Sequence, residues 1–116
     1  MSIAVPLSAQ VVREVEISPN PFTPNADGVN DQLQIRFSLG NLNANREVRV
    51  EIFDLSGRRV WHKAQMGFGE QSVVWNGWDE AEKVVPPGLY LCKIGVDVDA
   101  VEATHTVDYR VIAVVY

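Results

Sequence analysis

One cysteine, Cys92, and two histidines, His62 and His105, are all that this 116-residue chain has of the side chains most used as nucleophiles, soft-metal ligands and proton carriers. With a single thiol no disulfide can close within the chain, so stability must rest on an apolar core or a bound ion. The histidines fall on separate predicted strands, outside any HExxH or nucleophile-elbow frame, and read as solvated strand residues. No serine has the flanking glycines that would expose it as a nucleophile, and paired carboxylates would need a cleft that a small β domain seldom supplies. The reading is therefore not an enzyme. Basic charge is also scarce: ten Lys and Arg against fifteen Asp and Glu leave a net charge of −5. That balance repels phosphate backbones and anionic lipid surfaces, which excludes nucleic acid as a partner. Long apolar runs are missing too. Residues 1–10 are mildly apolar but have no basic leader and are too short for a signal core or a membrane span, so membrane insertion is not expected. They read as a lead or linker before one domain over residues 11–116. The chain as given does not look self-exporting, and a domain excised from a longer precursor is the favoured reading.

What is present is apolar content, at 47%, arranged with a period of two. One domain of this length can bury a real core. Residues 11–17 (VVREVEI) and 33–39 (LQIRFSL) alternate apolar with polar side chains, as half-buried strands do. Val48, Val50 and Ile52 continue the theme, Ser56-Gly57 marks a hairpin turn, and Val60 and Trp61 lie on the returning strand. Gly67 and Gly69 flank a further turn, residues 71–75 resume extended character, and Asn76-Gly77 turns the chain again. Strands over 89–98 and 104–116 complete the set, with Tyr90, Cys92, Ile94 and Val96 on one side of the first. Cys92 is then a buried small hydrophobe. No stretch carries sustained helical periodicity. About seven short strands with frequent turns predict an all-β antiparallel sandwich of immunoglobulin or fibronectin III type, with Val50, Ile52, Trp75, Tyr90, Ile94 and Ile112 in its core.

The densest chemistry lies in residues 18–31, SPNPFTPNADGVND, between two strand-like segments. Prolines 19, 21 and 24 fix backbone torsions, Asn and Asp side chains bond neighbouring backbone groups, and Gly28 tolerates positive φ. Placing Thr23 first puts Asn25, Asp27, Gly28, Val29 and Asp31 at the third, fifth, sixth, seventh and ninth positions of an EF-hand-like loop. The twelfth is Gln34, not the bidentate glutamate, so calcium held by Asn25, Asp27, Val29 and Asp31 would be weakly bound. The competing reading is that these side chains cap turns without any metal. Asp97, Asp99 and Glu102 form a second acidic patch, read as a solubilised hairpin tip.

Four pieces occur in order: NPFTPNADGVND at 20–31, VRVEIFDLSGRRV at 48–60, VVWNGWDE at 73–80 and PPGLYLCKI at 86–94. Together they resemble the FlgD-type immunoglobulin-like domain family, named after the flagellar hook-capping protein, which overlaps the C-terminal sorting domains of bacterial type IX secretion. The pattern departs at one point, where Ala81-Glu82-Lys83 replaces a shared glycine before the last proline-glycine turn. The resemblance implies a non-catalytic extracellular or cell-surface module: the C-terminal accessory, sorting or attachment domain of a larger secreted bacterial protein, with the secretion machinery or the parent protein as partners. An alternative is a structural subunit of a self-assembling appendage or hook-cap-like scaffold. There the apolar tail, with Val107, Tyr109, Val111 and Tyr116, would add as a strand to an open sheet edge. A third reading, a carbohydrate-binding module, rests on Trp78 as a stacking surface, against the alternative that its ring covers the end of the sandwich.

Overall fold

The computed structural model describes residues 12–24, 31–40, 46–96 and 107–115. Seven strands follow in chain order: β1 (Val12–Ser18), β2 (Leu33–Leu39), β3 (Arg46–Asp54), β4 (Arg59–Gly67), β5 (Gly69–Trp75), β6 (Gly88–Val96) and β7 (Val107–Val114). They form two antiparallel sheets, ordered β1-β2-β5 and β4-β3-β6-β7, and these face each other as a sandwich. Gly67 and Gly69 flank a corner rather than a hairpin, because β4 and β5 belong to different sheets and the exposed Phe68 marks the crossing.

Alternation in the sequence becomes the two faces of each strand. Leu33, Ile35, Phe37 and Leu39 of β2 are buried, as are Val48, Val50 and Ile52 of β3 and Tyr90, Cys92, Ile94 and Val96 of β6. All six residues expected in the core are buried. Strand β1 departs from simple alternation. Its register against β2 slips between Arg13 and Glu16, and Glu14 takes φ +56° at the resulting bulge. The extra residue lets Val12 and the partly buried Val15 and Ile17 all pack toward the core, which strict alternation forbids.

Trp75 is the hub of that core. Its fully buried ring lies 5.7 Å from Phe22, 6.2 Å from Trp61 and 6.2 Å from Tyr90, and its Nε1–H donates to the carbonyl of Trp78 at 2.9 Å. An indole can be buried without loss because its single donor is satisfied. Tyr90 donates its hydroxyl to the carbonyl of Pro86 at 2.6 Å, the tyrosine-corner arrangement of sandwich domains at the start of a core strand. Burial pushes the Cys92 thiol up to about 12, with the Arg110 cation and the Asp108 carboxylate acting in opposite, smaller senses.

Two five-residue turns, 54–58 and 79–83, are built on the same hydrogen bonds. Oδ1 of Asp54 accepts from the backbone N–H of Ser56 and Arg58, the Gly57 N–H donates to the Asp54 carbonyl, and the Asp54 N–H donates to the Arg58 carbonyl. Asp79 repeats each bond with Ala81, Lys83, Glu82 and Lys83 in the corresponding places. The fourth residue is left-handed in both: Gly57 at φ +91° and Glu82 at φ +62°. Glu82 thus occupies the place of the missing glycine, and the aspartate's bonds hold the turn in shape despite the side chain.

Candidate interaction surfaces

Strand β7 lies at the edge of the four-stranded sheet, where a free strand edge would present unpaired N–H and C=O groups to another chain. That edge is occupied. Asn20 imitates a peptide group, its Nδ2 donating to the Val111 carbonyl and its Oδ1 accepting from the Ala113 N–H, each at 3.0 Å. Phe22 then pairs through its backbone with Ala113 and Val115, at 2.8 and 2.9 Å. Farther back, the Tyr109 N–H donates to Oδ1 of Asp108, and Arg110 donates to the Tyr109 carbonyl while pairing with Asp108 at 2.6 Å. The expectation that this strand offers an open edge for addition meets these bonds: the outward Val111 carbonyl, both backbone groups of Ala113 and the Val115 N–H already have partners. The sequence carried a trace of this in Asn20-Pro21-Phe22, but Asn20 is 93 residues from Ala113, and no local pattern joins them.

The outer side-chain face is where Val107, Tyr109 and Val111 meet. Ile112 and Val114 point into the core, so the odd-numbered residues of β7 face solvent, with Tyr109 50% and Val111 56% exposed. Register places Val107 opposite Gly95, Tyr109 opposite Lys93 and Val111 opposite Leu91, and Leu91 in turn opposite Phe53 on β3. Exposed Leu89 extends the row. Phe53, Leu89, Leu91, Val107, Tyr109 and Val111 form an apolar corner of the sheet, with Lys93 set among them opposite Tyr109. Elsewhere that face carries paired charges, Glu47 with Arg49 at 2.8 Å, Glu51 with Arg59 at 3.3 Å, and Glu80 with both Arg59 at 3.6 Å and Nδ1 of His62, beside the exposed Met66. His62 is thus solvent-exposed, as expected, but held against Glu80.

Trp78 is not part of that row. It follows the Asn76-Gly77 turn after β5, bridges to Val84, donates its N–H to Oδ1 of Asn76 at 3.0 Å and is 45% exposed as a residue. Gly77, at φ +81°, is required there, since a Cβ would stand 2.6 Å from the Pro24 ring. Through its carbonyl Trp78 anchors Trp75, a scaffolding role that the sequence does not reveal.

Of the residues named for calcium, Asn25, Asp27 and Val29 lie outside the described residues, as do Asp97, Asp99, Glu102, His105 and Tyr116. Asp31 is described and half-buried just before β2. Gln34, at the twelfth position, is committed to the β2 ladder opposite Val74. Among the described residues no group of three or more His, Cys, Asp or Glu side chains stands together to hold a metal ion.

The family model described as the CHU_C type IX secretion signal domain matches residues 16–108. No curated protein matches the sequence. Among the solved structures that share the fold are parts of three longer proteins. Dimeric latent PorU from Porphyromonas gingivalis is 20% identical with a TM-score of 0.69, and 87% of this chain aligns to 9% of that one. PorZ, a surface component of the type IX secretion system of the same organism, is 23% identical with a TM-score of 0.58, over 89% of this chain and 12% of that one. The Parabacteroides merdae β-glucuronidase is 14% identical with a TM-score of 0.55, over 89% and 13%. At these identities the likeness is one of fold, and the chain spans a small part of each of those longer polypeptides. With most of its length matched by the family model, the chain belongs to the type IX secretion signal domain family, and its setting is that of a secreted or cell-surface bacterial protein.

Proposed function

We propose that this type IX secretion signal domain is a non-catalytic C-terminal sorting module, carried by a larger bacterial protein and read by the secretion machinery during delivery to the cell surface. The observation that carries the reading is the family match over residues 16–108. The geometry supports a module read through its folded surface. Its polar network is largely spent on turns and on the β7 edge, while exposed side chains such as Leu55, Met66, Phe68 and Trp78 are spread over several parts of the surface. The sorting reading is preferred to assembly by strand addition at β7, because over residues 111–115 much of that edge is already bonded to Asn20 and Phe22.

Fusing the chain to the C-terminus of a reporter exported to the periplasm, in a bacterium with a type IX system, tests the reading. The reporter is expected on the cell surface with the intact domain and in the periplasm without it. Deleting residues 110–116 is a poor control, since it removes the fully buried Ile112 and Val114 and with them the fold. Trp75→Ala, which unsettles the core, and Lys93→Ala, which leaves it intact, separate loss of fold from loss of a surface contact. A reporter that stays periplasmic with the intact, folded domain would overturn the proposal.

A further inference from the structure

We infer that the apolar outer corner of the β6–β7 sheet docks against a neighbouring domain of the same polypeptide, one presenting apolar side chains, and not against a second copy of this chain. The inference rests on the reading of this chain as a module of a longer protein. The corner comprises Phe53, Leu89, Leu91, Val107, Tyr109 and Val111, brought onto one face by the β3-β6-β7 register, with the Lys93 side chain set among them opposite Tyr109. It spans about 14 Å across three strands and about 20 Å along them, roughly 300 Å² from strand spacing and rise. A stable complex between free proteins covers about 800 Å² on each partner, more than twice that area. Interfaces between domains of one chain start near 300 Å² a side. Tethering accounts for the difference, because a linked neighbour is present at an effective concentration of order millimolar and a small interface then suffices. Where Asn20 and Phe22 already bond β7, over Val111 to Val115, a partner at the corner meets side chains and not backbone. The resembling folds also occupy 9–13% of much longer polypeptides.

Hydroxyl-radical footprinting of this chain alone and within its full-length polypeptide reads the corner directly. Labelling of Tyr109, Leu91 and Val111 is expected to fall several-fold in the full-length protein, while Trp78 and Leu55 label equally in both. Val111→Glu in the full-length protein should restore labelling at Tyr109 and Leu91. Because Val111 is exposed, the same substitution should leave the melting temperature of the isolated chain unchanged, which separates lost docking from lost folding. Sedimentation equilibrium of the isolated chain should return a monomer. Equal labelling of the corner in both contexts would overturn the inference. So would concentration-dependent dimerisation of the isolated chain that protects Tyr109, which would assign the face to a second copy. Neither outcome bears on reporter export, so a failure here is distinct from a failure of the sorting reading.

Discussion

Replacing Glu82 by glycine should stabilise this domain, although the substitution removes a side chain and is normally unfavourable. The turns at 54–58 and 79–83 make the same four backbone and aspartate bonds, and they differ at the left-handed fourth position, Gly57 in one and Glu82 in the other. An L side chain in that conformation costs about 1–2 kcal/mol, from the approach of Cβ to the following carbonyl, and glycine does not incur it. Glycine's greater freedom in the unfolded chain takes back about 0.4–1 kcal/mol. The net gain is about 0.5–1 kcal/mol, a rise in melting temperature of roughly 2–6 °C for a domain of this size, readable by calorimetry. Two controls isolate the cause. Glu82→Ala removes the carboxylate from the vicinity of Asp79 and Glu80 but keeps Cβ, and should bring no gain. Gly57→Ala should destabilise through the backbone alone, since an added Cβ there meets nothing within 4 Å. If Glu82→Ala stabilises as much as Glu82→Gly, the effect is relief of like-charge repulsion and the backbone argument fails.

Trp75→Ala should cost about 3–5 kcal/mol, from lost burial, a cavity between Phe22, Trp61 and Tyr90 and an abandoned acceptor at Trp78, and an unchanged melting curve would remove Trp75 from the centre of the core. Cys92 should resist thiol reagents at neutral pH while the chain is folded and react fully in denaturant, because its buried thiol is pushed up to about 12; rapid labelling of the native protein would contradict its burial. The Asp54 carboxyl is held below the ordinary carboxylate range, first by the Ser56 hydroxyl and then by the Arg58 N–H. A lowered folded value means the unfolded chain takes up the proton first, so this contribution is complete above the unfolded value near 3.9 and is lost as pH falls through the folded one. Denaturant unfolding from pH 6 to pH 2 should therefore show a shallower acid decline in Asp54→Asn than in the parent, and parallel declines would dismiss Asp54 as a source.

Local patterns were enough to identify the strands and most of the core. Period-two alternation in β2, β3 and β6 places one apolar set inward whatever the sheet order, and that set is the one the structure buries. Glycine and asparagine at 56–57 and 76–77 announced their turns for the same local reason: few residues adopt positive φ without strain. The surface was less legible. Alternation in β7 shows that Val107, Tyr109 and Val111 share a face, but which strands lie beside it depends on pairings with residues such as Leu91 and, through it, Phe53. Whether its edge is open depended on Asn20 and Phe22, more than ninety residues away from their partners. Even Glu82, which breaks the expected glycine pattern, kept the turn because Asp79 bonds its backbone regardless of what occupies the left-handed position. Side-chain period and turn chemistry are properties of neighbours in sequence, so the chain alone determined its strands and its inward residues, and its ordered motifs pointed to the type IX secretion domains though not to a FlgD-type family as such. Sheet order, the occupied β7 edge and the apolar corner arise from contacts between distant segments, and tertiary structure alone decided them.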